Sequence, residues 1–388
     1  MISRVIPRSI SRRHLLRNSL LGLAATAVVP GTLAGQIRSP LRIAELALNT
    51  WRHPLGATIP VGAELRLLAT SGEKVPGTHF EWNYLPDGGA TFPTPDGGWI
   101  YVSNSESREA GGVSALRFSR AGTFFDAYSI LTGSIRNCAG GKTPWGTWLS
   151  CEERGDDSLV YECDPTGDKA AVAHPHFGSF NHEAAAVDPK THQVYLTEDV
   201  SDGCLYRFSP ETMGDLTRGT LQVATLSDGD RLDWLDLDEV NNVKDPGIQL
   251  RYRFENAARF AGGEGIVYGS GYVYFTTKKD NRVWTLELAT QKLDIIYDIA
   301  TSKTPILAGV DNIEISQNGD LIIAEDGGDM QLVVLDDQYQ AVPLVTLHDQ
   351  EDSELAGPAF SPDGSRLYFS SQRGSDDRGL TYEMILPA

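Results

Sequence analysis

Apolar and polar positions alternate along this chain in short runs rather than in helical stripes. Two or three β-forming residues ending in a small polar or acidic cluster recur: Tyr101-Val-Ser-Asn104, Trp148-Leu-Ser-Cys151, Tyr195-Leu-Thr-Glu198, Tyr274-Phe-Thr-Thr277, Ile322-Ile-Ala-Glu325 and Tyr368-Phe-Ser-Ser371. Their last residues stand 47, 47, 79, 48 and 46 positions apart. That is near the roughly 40–50 residues of a propeller blade. Most copies follow an earlier apolar run and a turn, as in Ala184 to Asp188-Pro189, Ile313 to Asn318-Gly319 and Pro358 to Asp363-Gly364. Such dipeptides supply the positive φ or preset bend of a hairpin. A third apolar run comes after, for example Gly203 to Phe208, Arg282 to Leu286 and Gln331 to Leu335. The pattern predicts an all-β chain, a six-bladed β-propeller whose radial closure removes open sheet edges. The long interval predicts an insertion of about 30 residues between blades three and four, within residues 210–245. Its acidic stretch from Asp228 to Glu239 lacks the spacing of a calcium loop and reads as solvated surface.

The first 34 residues differ in kind. They carry Arg4, Arg8, Arg12, Arg13 and Arg17, no acid, and then an uncharged run from Ser19 to Ala34. Ser11-Arg-Arg-His-Leu-Leu-Arg17 has the twin-arginine form of an export address. The expected organisation is therefore residues 1–34 as export signal and 35–388 as one domain, with the export machinery as partner and a periplasmic or secreted destination. Without the leader, 33 basic residues become 28 against 52 acidic ones, a balance of 28 − 52 = −24. This charge argues against nucleic acid and anionic membranes as partners and suits a protein that holds cations. No second hydrophobic span follows, and a monomer is expected. Cys138, Cys151, Cys163 and Cys204 include no Cys-x-x-Cys pair, so no zinc knuckle is indicated. Their disulfide pairing stays open.

In a blade, the start of the first strand and the end of the second lie at one rim. That rim would gather Asn104-Ser105-Glu106, Cys151-Glu152-Glu153, Glu183, Glu198-Asp199, Glu264, Asp311-Asn312 and Glu325-Asp326. Partly buried carboxylates at this density repel one another unless cations neutralise them. Oxygen donors suit calcium, whereas a thiolate selects a softer ion such as iron. The expected ligands are Cys151, Glu152, Glu183, Glu198, Glu264, Asp311, Asn312 and Glu325, with Ca2+ and Fe3+ as cofactors. A disulfide from Cys151 to Cys138 or Cys163 is the alternative at this point. His182 reads as a packing residue. No Gly-x-Ser-x-Gly, Walker loop or dinucleotide fingerprint is present.

The run Asn137-Cys-Ala-Gly-Gly-Lys-Thr-Pro-Trp-Gly-Thr-Trp-Leu-Ser-Cys151-Glu-Glu153 resembles the signature of PhoX-type bacterial alkaline phosphatases. So do Asn181-His-Glu183, Tyr195-Leu-Thr-Glu-Asp199, Gly263-Glu-Gly265, Asp311-Asn312 and Phe360-Ser-Pro-Asp-Gly364. The resemblance implies a six-bladed propeller with an iron and calcium cluster that releases phosphate from small phosphorylated substrates. It implies Cys151 as the iron thiolate and Glu183, Glu264, Glu325 and Asp311 as carboxylate ligands. It also implies Arg259 as a phosphate clamp, since a guanidinium fork matches phosphate oxygens. Two other readings stand beside it: a calcium-dependent propeller hydrolase acting on lactones or phytate, and a non-catalytic binding propeller with structural calcium.

Overall fold

The computed structural model describes residues 42–237 and 248–387. The expected export signal, residues 1–34, and residues 238–245 of the expected insertion lie outside the described residues. Helical structure among the described residues amounts to Ile43–Leu46 and three short 3-10 turns, and the rest of the regular structure is strand.

The strands form antiparallel meanders of one design, each consisting of a first, second, third and outer strand. The first meander runs Pro86–Pro93, Trp99–Ser105, Gly112–Phe118 and Phe124–Thr132. The second runs Asn137–Lys142, Trp148–Glu152, Val160–Cys163 and Val172–Ala173. The third and fourth begin with His182–Val187 and Gly263–Gly269 and share one sheet. They join through an extra strand, Arg231–Leu237, which pairs with Asp215–Ser227 and bridges to Lys292. The fifth begins with Val310–Ile315 and carries the hairpin Thr50–His53/Ala57–Pro60 on its outer edge. The last consists of Leu355–Phe360, Arg366–Ser371 and Leu380–Ile385, completed by Glu64–Thr70 from the start of the chain. This pairing ties the two ends of the described chain together and leaves that meander with no missing strand.

The first strands also touch in sequence. The first packs on the second, and so on to the last, which packs back on the first. They enclose a cavity of ≈ 280 Å³ lined by Gly88–Ala90, Gly140, Ala185, Ile266, Ile313 and Gly357 among others. Between meanders lie apolar layers, one built from Tyr101, Tyr368, Trp99 and Phe118, with Tyr101 stacked on Tyr368 at 4.9 Å. A fully buried side chain of this size contributes about 1.5–3 kcal/mol.

A single irregularity is shared by every first strand. Its ladder with the second strand slips by one residue near the start: between Pro86 and Gly89, Asn137 and Gly140, His182 and Ala185, Gly263 and Ile266, Val310 and Ile313, and Ala356 and Ala359. A bulge leaves residues unpaired and re-aims their side chains. The close approach of neighbouring first strands at the bulge demands small residues. A Cβ on Gly265 would lie 2.5 Å from the Ile313 nitrogen, and one on Gly88 2.5 Å from the Ala139 Cα.

Candidate metal centre

The first residue freed by the bulge is Asp87, Cys138, Glu183, Glu264 or Asp311 in the first five meanders and Gly357, which has no side chain, in the last. The residue directly after each second strand is Glu106, Glu153, Asp199, Lys278, Asp326 or Gln372. Antiparallel pairing sets these two series beside each other, and Glu354, just ahead of its strand, joins them. Ligand-capable atoms within 4.8 Å of one another occur in four overlapping groups: Asp87–Glu106–Cys138, Cys138–Glu153–Glu183, Glu183–Glu264–Asp311 and Asp311–Asp326–Glu354. The Cys138 Sγ lies 3.2 Å from Glu183 Oε1 and 3.7 Å from Asp87 Oδ2.

Burial and mutual repulsion act together on these acids. Burial first, then Glu264 and Asp311, hold the Glu183 carboxyl well above the usual range, and burial with Asp311 does the same to Glu264. Burial, then Glu106 and Asp311, raises Asp87; burial, then Asp87 and Glu183, raises the Cys138 thiol. Burial, Asp199 and Glu106 lift Glu153 to about 8. Lys278 provides the main compensation, its ammonium standing 3.0 Å from Asp311 Oδ2, 3.0 Å from Asp326 Oδ2 and 3.1 Å from Glu264 Oε1. Gln372 Nε2 donates to Asp87 Oδ2 at 2.6 Å and Glu106 Oε2 at 2.9 Å. Its own Oε1 is buried and meets no donor, as is Asp199 Oδ1. Carboxylates, a thiol and orphaned buried oxygens aimed at one another form the donor set of a cation centre.

Of the residues expected from sequence, Glu183, Glu264 and Asp311 meet here. Asn312 stands beside them but is engaged in structure: Nδ2 donates to Asp311 Oδ1 at 2.8 Å, and Oδ1 accepts the Gly357 N–H at 2.6 Å. The structure does not bring the other expected residues to this cluster. Cys151 lies opposite the bulge of its own meander, the position of Asn104, Thr197 and Thr276. At that position side chains brace the next meander: Asn104 Nδ2 donates to the Cys138 and Ala139 carbonyls, Thr197 Oγ1 to the Glu264 carbonyl and Thr276 Oγ1 to the Asp311 carbonyl. Cys151 is therefore fully buried among Leu149, Val160 and Leu196, and it is a free thiol, as are the other three cysteines.

Glu152, Glu198 and Glu325 end their second strands one residue too early to face the acids, because side chains alternate along a strand. Instead they staple loops. Glu152 accepts the Ile135 and Leu159 N–H groups at 3.1 and 3.0 Å, and Glu325 those of Ala308 and Gln331 at 3.0 and 3.1 Å. Glu198 accepts Cys204 N–H and Tyr206 Oη at 3.0 and 2.9 Å and pairs with Arg251 at 2.8 Å. Arg259 is committed to Asp202 O and Cys204 Sγ, both at 3.2 Å, and its guanidinium lies over Tyr252. His182 is a buried packing residue against Phe180, with Nε2 3.0 Å from Gly178 O.

Asp87, Cys138, Glu354 and Lys278 escaped the reading of the sequence. The signal that finds three of the four is register. Asp87 and Cys138 hold the same place in their strands as Glu183, and Lys278 the same place as Glu153.

With this geometry in view, the comparison with known families is decisive. The family model of alkaline phosphatase PhoX matches residues 98–292. The chain belongs to the PhoX alkaline phosphatase family. The matched segment of this PhoX-family chain carries Glu106, Cys138, Glu153, Glu183, Glu264 and Lys278. No curated protein matches the chain in sequence. Among solved structures, a gluconolactonase of Xanthomonas campestris is similar at 12% identity and TM-score 0.51, covering 84% of this chain and 90% of its own. A protein of unknown function from Bacteroides thetaiotaomicron is similar at 13% identity and TM-score 0.50, covering 83% and 76% respectively. These likenesses concern the fold alone, which is all-β and propeller-like.

Proposed function

We propose that the chain is an exported metal-dependent phosphatase that hydrolyses small phosphomonoesters at the acid cluster. The meanders are read as six blades around one axis, with the strand Arg231–Leu237 and the residues after it as the insertion between blades three and four. The mature chain is placed in the periplasm or outside the cell, delivered by the twin-arginine route and acting as a monomer. No helix among the described residues is long and apolar enough to cross a membrane. The observation that carries the reading is the convergence of a thiol and buried carboxylates with too few basic partners, in a chain of this family.

The residues present fit cations. Cys138 with Asp87, Glu106, Glu153 and Glu183 would hold an iron-like ion and calcium, the thiolate setting the softer preference. Bound there, such ions supply Lewis-acid stabilisation of the charge on a transferring phosphoryl group. The protein's own groups do the rest. In the metal-free chain burial, Asp199 and Glu106 lift Glu153 to about 8, so at neutral pH this carboxyl gives up a proton when a cation binds beside it. Arg373 follows Gln372, its guanidinium 3.4 Å from Glu354 and its side chain 36% exposed. It offers the fork for a phosphate that Arg259 does not.

Dialysis against chelator followed by assay of a chromogenic phosphomonoester tests this reading. Activity lost with the metal and regained on adding iron and calcium is the expected result. Unchanged turnover at negligible metal content excludes it, and bound calcium with no turnover on any phosphate ester would make the chain a binding propeller. A calcium-only lactone hydrolase has no use for Cys138, so that reading predicts full activity in Cys138→Ser.

A further inference from the structure

We infer that Lys278 is a resident cation of the cluster. Its ammonium occupies a position that a metal ion would otherwise take, and so confines metal to the arc of Asp87, Glu106, Cys138, Glu153 and Glu183. This inference rests on the metal-dependent reading above and goes beyond it, because it states which part of the ring is closed to metal.

Register sets this lysine apart. Directly after the second strand, four meanders place an acid (Glu106, Glu153, Asp199, Asp326), one places the amide Gln372, and one places Lys278. The position faces the cluster, so this lysine carries its charge into the crowd of acids. The ammonium meets Asp311, Asp326 and Glu264 at 3.0, 3.0 and 3.1 Å, with its side chain only 19% exposed. Three carboxylate oxygens around one positive centre are what a divalent ion would need there, at the shorter distances of 2.3–2.6 Å. The two cannot share the space.

Next to it, Glu354 has a carboxylate oxygen within 4.8 Å of Asp311 and Asp326 and pairs with Arg373 at 3.4 Å. The side of Glu264, Asp311, Asp326 and Glu354 is thus served by two cations of the chain itself. The opposite arc has no lysine or arginine ion pair to Asp87, Glu106, Glu153 or Glu183 among the described residues. There Gln372 turns its Nε2 to Asp87 and Glu106 while its Oε1 stays buried without a donor. Turning a side-chain amide through 180° exchanges its oxygen and nitrogen without changing its shape. A cation between Asp87 and Glu106 favours the turned form, which presents Oε1 as a neutral ligand and relieves the orphan. Arg136 reaches only the Glu153 carbonyl, at 3.2 Å.

The test is a count of bound calcium on the full mature chain, stripped with chelator, reloaded with calcium alone and freed of excess by gel filtration. Lys278→Gln is expected to bind one calcium ion per chain more than the unmodified protein, and Lys278→Arg the same number. Asp326→Asn should leave the number unchanged, whereas Glu106→Gln should lower it. A Lys278→Gln chain that folds only with calcium present, by circular dichroism, would equally show the ammonium standing in for a metal. Equal calcium in Lys278→Gln and the unmodified chain overturns the inference. So does a loss in Asp326→Asn as large as that in Glu106→Gln. The calcium counts do not depend on turnover, so failure of the phosphatase assay and failure of this inference are separate results.

Discussion

Replacing Glu153 by glutamine should stabilise the metal-free protein and weaken the metal-loaded one. In the folded chain burial, Asp199 and Glu106 raise this carboxyl to about 8 from its ordinary 4.5. A folded-state value above the unfolded one means that the native state binds the proton more tightly. That contribution to stability is complete below pH 4.5 and is lost as pH rises through 8. At 1.36 kcal/mol per tenfold, the gap corresponds to roughly 5 kcal/mol. Neighbouring acids can take up the proton instead, so the gain measured in Glu153→Gln should fall below this figure. Glutamine keeps the shape and drops the charge. Urea unfolding of chelator-treated protein at pH 5, 6, 7 and 8 is the assay. The mutant and the parent should coincide near pH 4.5, and the mutant should become progressively the more stable toward pH 8. With calcium and iron restored the order should reverse at pH 8, because a ligand has been removed. A metal-free mutant that is no more stable than its parent at pH 8 would refute the claim that this carboxylate lacks a compensating cation.

Three further outcomes follow from other parts of the molecule. Cys138→Ser should lose iron and most phosphatase activity, whereas Cys151→Ala should keep both and lose about 1–3 kcal/mol of stability as a small core truncation; elemental analysis and chemical unfolding separate the two. Arg251→Ala strands the buried Glu198 carboxylate and should cost about 3–5 kcal/mol without changing metal content, as metal analysis beside urea unfolding will check. Burial would raise Glu162, but hydrogen bonds from His174, Trp145 and Thr147 outweigh it and hold it at about 2. Its contribution, about 3 kcal/mol from the gap to 4.5, is present above pH 4.5 and lost as pH falls through 2. The stability difference between the parent and Glu162→Gln should therefore be full at pH 6 and shrink steadily toward pH 2.

The architecture was legible because its signal is periodic. Strand, turn and strand recur at nearly constant spacing, and Asn318-Gly319 and Asp363-Gly364 mark hairpins without any tertiary information. Glu183, Glu264 and Asp311 were legible for the same reason, each opening an apolar run. Cys151 was expected in the cluster because it closes the Trp-Leu-Ser-Cys copy in a signature-like segment, and nothing local reveals that the bulge falls opposite it. Alternation turns Glu152 toward the adjoining loops, whereas Cys151 shares the side of Glu153 but lies deeper in the strand, opposite the bulge and among apolar side chains. A one-residue difference in register separates packing, stapling and ligation. The bulge that aims Cys138 is equally silent in the sequence, since its only mark is a small residue, Gly88, Ala139, Ala184 or Gly265, after four of the five cluster residues.

That shared bulge also explains how nearly equivalent meanders make an unsymmetrical site. The backbone repeats the same slip in every first strand, and in five of them it turns one side chain toward the cluster whatever its chemistry. The series Asp87, Cys138, Glu183, Glu264, Asp311 then differs from meander to meander and ends at Gly357 with no side chain, while the residues opposite, Asn104, Thr197 and Thr276, brace the carbonyls that hold the slip in place. Fold and chemistry are thereby placed on different residues of the same hairpin. Substitution in the inner series should alter which cations bind, whereas Thr197→Val or Thr276→Val leaves a buried carbonyl unsatisfied and should cost about 1–3 kcal/mol before it touches the metal.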